Sequence, residues 1–324
     1  MVIDKPDLST CSRVAAGIWN PVVFKRLTKS WMIDDLLPEM MSFYRFCEKE
    51  MNAELITERN IIKFFSEEHE AELWWRKAQG ELKGYLDQNI ETFSIKGVRS
   101  SGLGFSKVLR SGNLNIPVFL NKTRERLERE NSFTNEEFDF GQLKCGDKVS
   151  YKEFVADKII FSEGYKIKDN PFFNYIPFKP AKGEVLTIEC DALQIGKDII
   201  NKNMFVMPLE NHIFKAGATY NWEQQDDHIT TTARMELDSK LQKLLDLPYR
   251  VLSQDAGVRP SVIDRRPVVG RHPAHESVYV FNGMGTKGVM LAPYFAKQLA
   301  NHLSGNGILN PEADVQRFNK FFVN

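Results

Sequence analysis

The residues with the most chemical content stand near the end of the 324-residue chain, where Gly283, Gly285 and Gly288 follow GxGxxG spacing. They separate a run of β-branched and aromatic residues (Val278, Tyr279, Val280, Phe281) from Leu291, Phe295, Leu299 and Leu303, which recur at four-residue spacing. The first pattern predicts a strand and the second a helix, with Pro293 in the first helical turn, where its missing N–H is tolerated. Strand, glycine loop and helix together aim the free N–H groups of a helix N-terminus at whatever lies above the loop, a site for negative charge. A dinucleotide fingerprint would also need a second parallel strand and an acidic residue about 20 positions on. Only residues 303–324 follow, without a strand pattern, so the loop is expected to form one wall of a site completed from earlier in the chain.

The other end offers the complementary pieces. Val2, Ile3 and Asp4 read as the end of a strand, followed by a polar turn at Lys5, Pro6 and Asp7. An acid at the C-terminal end of a strand is what a nucleotide-binding sheet uses to take ribose hydroxyls, although an ordinary exposed Asp in a turn has the same local sequence. Residues 12–21, SRVAAGIWNP, then place Ser12, Ala15, Ala16 and Gly17 where a backbone could approach a ligand closely, at the start of a possible helix. His272 and His275 lack Glu or Cys partners at metal spacing, and Pro273 between them opposes a regular helix, so no metal is expected. Ser100 and Ser101 in SSGLG are misplaced for a nucleophile elbow, and no P-loop is present.

Composition narrows the class. Forty-three basic and 43 acidic residues cancel, so no global field draws in nucleic acid, and a small neutral or zwitterionic ligand fits better. Cys11, Cys47, Cys145 and Cys190 are far apart and form no CxxC pair, which suits free thiols in a reducing compartment. No apolar run reaches the ~20 residues of a membrane span, and the first residues lack a secretory pattern, so a cytoplasmic location is expected.

The elements that would position these residues can be read in order. An amphipathic helix over 31–51 presents Met32, Leu36, Leu37, Met40, Phe43, Tyr44 and Cys47 as core. A strand over 60–65 precedes a charged helix over 67–78, with Leu73 and Trp74 inward and Trp75 assigned to packing. Residues 98–112 read as a loop with short strands. A helix over 116–129 carries alternating charges suited to intrahelical pairs. Strands follow over 137–140, 148–154 and 158–161, the last leading into a glycine turn at Gly164. Residues 183–190 and 204–218 read as strands of a separate antiparallel sheet with a turn at Asn211 and His212, and 235–245 as a helix.

Four segments in this order resemble the FAD-dependent D-amino acid oxidase and glycine oxidase family. They are SRVAAGIWNP (12–21), FKPAKGEVL (178–186) with Met207, Pro208 and GATY (217–220), GVRPSVIDRRPVVG (257–270), and the closing glycine loop. The resemblance spans nearly the whole chain. It implies an α/β, overall α+β, FAD/NAD(P)-binding Rossmann-like domain with an inserted, mostly antiparallel substrate domain. The discontinuous cofactor domain would comprise 1–48, 108–180 and 262–324, and the substrate domain 49–107 and 181–261. The family's opening strand, GxGxxG turn and helix are not found in this sequence, so the cofactor domain is expected to be N-terminally truncated, with Met1 inside the family's second strand.

The resemblance also implies a chemistry, oxidation of the C–N bond of an amino acid or secondary amine, with oxygen or another acceptor taking the electrons. A flavin accepts the hydride, so the protein must hold a carboxylate, orient the α-carbon and stabilise negative charge on the ring. Arg259, in GVRP, is the expected carboxylate clamp, because a guanidinium grips a carboxylate through two parallel hydrogen bonds. An interior salt-bridged Arg is the structural alternative. Phe205 is placed at the substrate cavity. Asp4, Ser12, Ala15, Ala16, Gly17, Gly164, Gly283, Gly285, Lys287, Gly288 and Val289 are placed around the cofactor, bound non-covalently because the closing loop has no Cys. Two alternatives accompany this reading: a flavin enzyme acting on a modified tRNA nucleoside, and a cofactor-free remnant that binds a ligand or partner.

Overall fold

The alternation running through 181–217 is realised in a seven-stranded sheet. The computed structural model describes residues 1–5, 10–99 and 102–322. Its strand order is Arg250–Arg259, Ala181–Glu189, Ile213–Gly217, Phe205–Pro208, Ile199–Asn201, Ile61–Phe64, Phe105–Val108. Neighbours are antiparallel except Ile199–Asn201 against Ile61–Phe64. On one face Leu186, Ile188, Val206, Phe214 and Ala216 pack with Leu237, Leu241 and Leu244 of the helix Thr231–Leu244. Full burial of such side chains stabilises by roughly 1.5–3 kcal/mol each. Alternation turns Phe205, Met207, Lys215 and Gly217 to the opposite face, where Phe205 and Met207 join a different cluster.

Parallel pairs make up the other part of the α/β architecture expected from the sequence. Val2–Asp4 runs parallel to Phe133–Asn135, and Ile159–Phe161 runs parallel to Val278–Asn282, whose other edge is taken by antiparallel Val268–Arg271. The helices Ile33–Met51 and Gly288–Leu303 meet where Leu36 packs with Leu291, Phe295 and Leu299. Helix Ile116–Arg129 starts at Asn115, whose side chain accepts from the Val118 N–H. Its exposed face carries the expected pairs Lys122–Glu125, Arg124–Glu128 and Arg126–Glu130. Among the described residues no helix is long and apolar enough to cross a membrane.

Several expectations are corrected. Residues 137–140 are not a strand: Asp139 accepts from the Gly141 N–H at 2.8 Å and starts a 3-10 turn, Phe140–Gln142, which still turns Phe138 and Phe140 onto Phe161. Trp74 is buried, but Trp75 is 53% exposed and belongs to no core. The small residues after Val14 do not open a helix; they follow a four-residue one, Cys11–Val14. Pro293 lies inside the helix Gly288–Leu303, beyond its first turn. Pro6 and Asp7 of the expected polar turn, and Ser100 and Ser101, lie outside the described residues.

Candidate active site

The closing loop is held from below by one buried side chain. Asn282, at the end of Val278–Asn282, donates its amide to the Gly164 carbonyl at 3.0 Å and accepts from the Gly283 N–H at 2.7 Å. Two glycine turns singled out in the sequence are thereby joined. Gly283 has φ +76°, and a Cβ there would stand 3.0 Å from the Val268 nitrogen, so both conformation and space demand glycine. Gly285 donates to the Pro260 carbonyl at 3.3 Å, which ties the loop to the residue after Arg259. At Gly288 an added Cβ would meet nothing closer than 3.6 Å, so this third glycine is not sterically required.

The helix that follows leaves the N–H groups of Gly288 and Val289 without an acceptor among the described residues. These are the donors that a helix N-terminus offers to negative charge. Lys287 beside them sends its ammonium to Ser30 Oγ at 3.1 Å, and Ser30 Oγ donates to the Asn20 carbonyl at 3.0 Å. Burial, helped by the nearby Arg266, pushes the Lys287 ammonium below its usual range. Ala15, Ala16, Phe205 and Val289, drawn from three distant parts of the chain, pack against a single hydrophobic cluster. Asp4 is exposed at the C-terminal end of its strand, Ser12 is exposed on the short helix, and Gly17 is buried beyond that helix's C-cap, Ala15. Gly17 adopts a positive φ with the Leu114 backbone directly against it.

The second half of the site lies on the sheet face that meets Cys11–Val14. Arg259, at the end of Arg250–Arg259, donates to the Lys182 carbonyl at 3.2 Å and the Thr219 carbonyl at 3.3 Å, and its guanidinium lies 4.9 Å from the Tyr220 ring centre. Among the described residues no carboxylate pairs with Arg259, whose described partners are the two carbonyls and the Tyr220 ring. Burial lowers the Arg259 pKa. Gly183 makes room for it, since a Cβ at 183 would overlap the guanidinium. Cys11 faces the same region, its thiol pushed up by burial and pulled back by Arg259. Phe205 sits opposite Gly217 in register, and its ring covers that glycine, with 3.3 Å between the ring and an added Cβ.

Sequence reading missed Lys215. It donates to the Val14 carbonyl at 2.8 Å, and burial lowers its pKa, opposed by Asp255. Its signal was a lone lysine at an inward position of the apolar strand Ile213–Gly217. Gly183, Thr219 and Tyr220 stood in segments that carried the resemblance, but no role attached to them, because they act through contacts between segments far apart in the chain. Two surface depressions of about 300 and 320 Å³, one beside Leu209 and His212 and one beside Phe93 and Lys107, contain none of the candidate residues. His272 and His275 are packed against Phe172, with Phe173 and Phe322 also on His272.

The residue types present are ones that fit the ring end of a flavin: helix N-terminal donors without an acceptor among the described residues, small residues at 15–17 and a partly buried cation at Lys287. Comparison with known proteins shows the family. Residues 1–302 match the sequence family described as FAD dependent oxidoreductase, DAO. Over 250 residues the chain is 26% identical to the glycine oxidase of Pseudomonas aeruginosa, covering 73% of this chain and 68% of that protein. Over 170 residues it is 24% identical to the tRNA 5-methylaminomethyl-2-thiouridine biosynthesis bifunctional protein MnmC of Aromatoleum aromaticum, covering 46% of this chain but only 27% of that protein. The crystal structure of iminodiacetate oxidase from Chelativorans sp. BNC1 superposes with a TM-score of 0.77 at 16% identity, over 98% of this chain and 91% of that one, which shows a shared fold.

Proposed function

Because the chain belongs to the DAO family of FAD-dependent oxidoreductases, we propose that it oxidises the C–N bond of a carboxylate-bearing amine, an amino acid or its N-substituted derivative. The observation that carries this reading is the guanidinium of Arg259, desolvated, fixed by two carbonyls and without an anionic partner among the described residues. Such a group is prepared for a carboxylate, which would complete its hydrogen bonds and neutralise its charge. When bound, the flavin supplies the hydride acceptor. Arg259 fixes the substrate by its carboxylate, Phe205 covers the substrate side, and the Gly288 and Val289 N–H groups stabilise negative charge at the ring. FAD is held non-covalently. In this reading 1–48, 108–180 and 262–324 form the cofactor-binding unit, and 49–107 with 181–261 the substrate-binding unit.

The experiment is direct: purify the chain, record its flavin absorbance, and assay glycine, sarcosine and iminodiacetate for hydrogen peroxide and for reduction of an artificial acceptor. A yellow protein that turns over one of these amines supports the proposal. A protein that takes up no FAD overturns it in favour of a cofactor-free remnant. A second reading, action on a modified tRNA nucleoside, is favoured by the match to the bifunctional tRNA-modifying proteins. It predicts turnover of a modified tRNA and of none of the free amino acids.

A further inference from the structure

Behind Arg259 lies a buried polar network that the carboxylate reading does not use. Lys182 is 1% exposed and Glu184 2% exposed, side by side on the strand Ala181–Glu189. The Lys182 ammonium reaches Asp226 Oδ1 at 2.7 Å and lies 4.0 Å from Glu184. Glu184 accepts from the Thr230 N–H at 2.9 Å, the Thr230 hydroxyl at 2.8 Å and the Gln254 amide at 2.7 Å. Its own N–H donates to Thr219 Oγ1 at 2.9 Å. Lys182 and Asn221 exchange backbone hydrogen bonds of 2.8 and 2.9 Å. Segment 219–230 is thus fastened at its start by Thr219 and Asn221, at its end by Thr230, and in between by Asp226.

Among the described residues that segment bears two of the three groups holding Arg259, the Thr219 carbonyl and the Tyr220 ring. The third is the carbonyl of Lys182 itself. Lys182 therefore gives its carbonyl to the arginine and its ammonium to the segment that covers the arginine. A buried ammonium is costly without a counter-charge, and Asp226, 47% exposed, approaches it directly at the middle of the segment. We propose that Lys182 and Asp226 are positioning residues for substrate recognition: their ion pair clamps segment 219–230 over Arg259 and sets the orientation in which the guanidinium meets a carboxylate. This rests on the reading of Arg259 as the carboxylate clamp.

The test uses the purified full chain and acetate as the simplest carboxylate, its dissociation constant read from broadening of the methyl NMR signal. Asp226→Asn is expected to weaken acetate binding roughly tenfold, the scale of a misaligned hydrogen bond to a charged group. Asp226→Glu should restore most of the affinity. Because Asp226→Asn leaves the buried Lys182 with only the more distant Glu184 as counter-charge, the double variant Lys182→Met/Asp226→Asn removes the ion pair from both sides and should show the same weakening in a folded protein. In an Arg259→Met background Asp226→Asn should cause no further loss. Undiminished acetate binding in both the Asn and the double variant, or an equal loss in the Arg259→Met background, overturns the positioning role while leaving Arg259 in place. If Arg259→Met itself leaves acetate binding unchanged, the carboxylate reading fails, and the positioning role with it.

Discussion

The hydroxyl of Tyr44 donates to the carbonyl of Val289 at 3.2 Å. In a regular helix that carbonyl would accept from the N–H four residues on, at Pro293, which has none. A side chain from Ile33–Met51 thus fills the place of a missing helical hydrogen bond at the N-terminus of the closing helix, beside the Gly288 and Val289 N–H groups. Burial pushes the Tyr44 phenol far above its usual range, so it stays a donor at all working pH values. Tyr44→Phe should lower stability by about 1 kcal/mol, read as a lower thermal midpoint. Pro293→Ala supplies the absent N–H, and in that background Tyr44→Phe should cost distinctly less. Equal losses in both backgrounds would show that the two residues are not coupled.

Gly183 and Arg259 are in steric register, and the proposed carboxylate role makes that contact testable. The methyl of Gly183→Ala would overlap the guanidinium, so Arg259 must leave its two carbonyl partners. We expect kcat/KM for the active amine to fall roughly a hundredfold, mainly through KM, with the flavin spectrum unchanged. Arg259→Lys keeps the charge but loses the fork, and should lose about as much. An active Gly183→Ala enzyme with unaltered KM would remove the steric premise.

His272 gives the fold a pH signature. It is 2% exposed, its Nδ1 accepts from the Ala274 N–H at 3.1 Å, and burial, then His275, hold its pKa down to about 4. The folded value lies below the unfolded one, so between the two the unfolded chain binds the proton and the folded chain does not. The stability associated with neutral His272 is present above about pH 6.5 and lost as the pH falls toward 4, by up to about 3 kcal/mol. His272→Gln should flatten the decline in thermal midpoint between pH 7 and 4. A decline as steep as that of the wild type would assign it to other groups.

What could be read in the sequence and what could not divide along one physical line. Leu291, Phe295 and Leu299, like the alternation in 204–218, report their own burial through local periodicity, so the closing helix and the antiparallel sheet were legible. The resemblance carried Arg259, and its two carbonyl partners, Lys182 and Thr219, are visible only in three dimensions. Gly183 reveals its purpose only beside a guanidinium 76 residues away in the chain. Lys215 and Asp226 likewise matter through contacts that no spacing encodes. Residues 137–140 misled because alternating Phe138 and Phe140 imitate a strand, while Asp139 satisfies the backbone as a turn.

Asn282 provides the sharpest test of the proposal that the loop forms the flavin-end wall. It is 3% exposed, and its amide serves the Gly164 carbonyl and the Gly283 N–H, the two glycine turns whose union shapes the loop. Asn282→Leu keeps the volume but strands both backbone groups in a dry environment, at about 1–3 kcal/mol each. The loop can relieve this only by opening toward water, which moves the Gly288 and Val289 donors. Retention of FAD through gel filtration should therefore fall much further than the thermal midpoint of the apoprotein does. Asn282→Asp retains an acceptor for Gly283 but loses the donor to Gly164 and should lie between the two. If Asn282→Leu retains FAD like the wild type, the loop is held by other contacts and its donors do not define the cofactor wall.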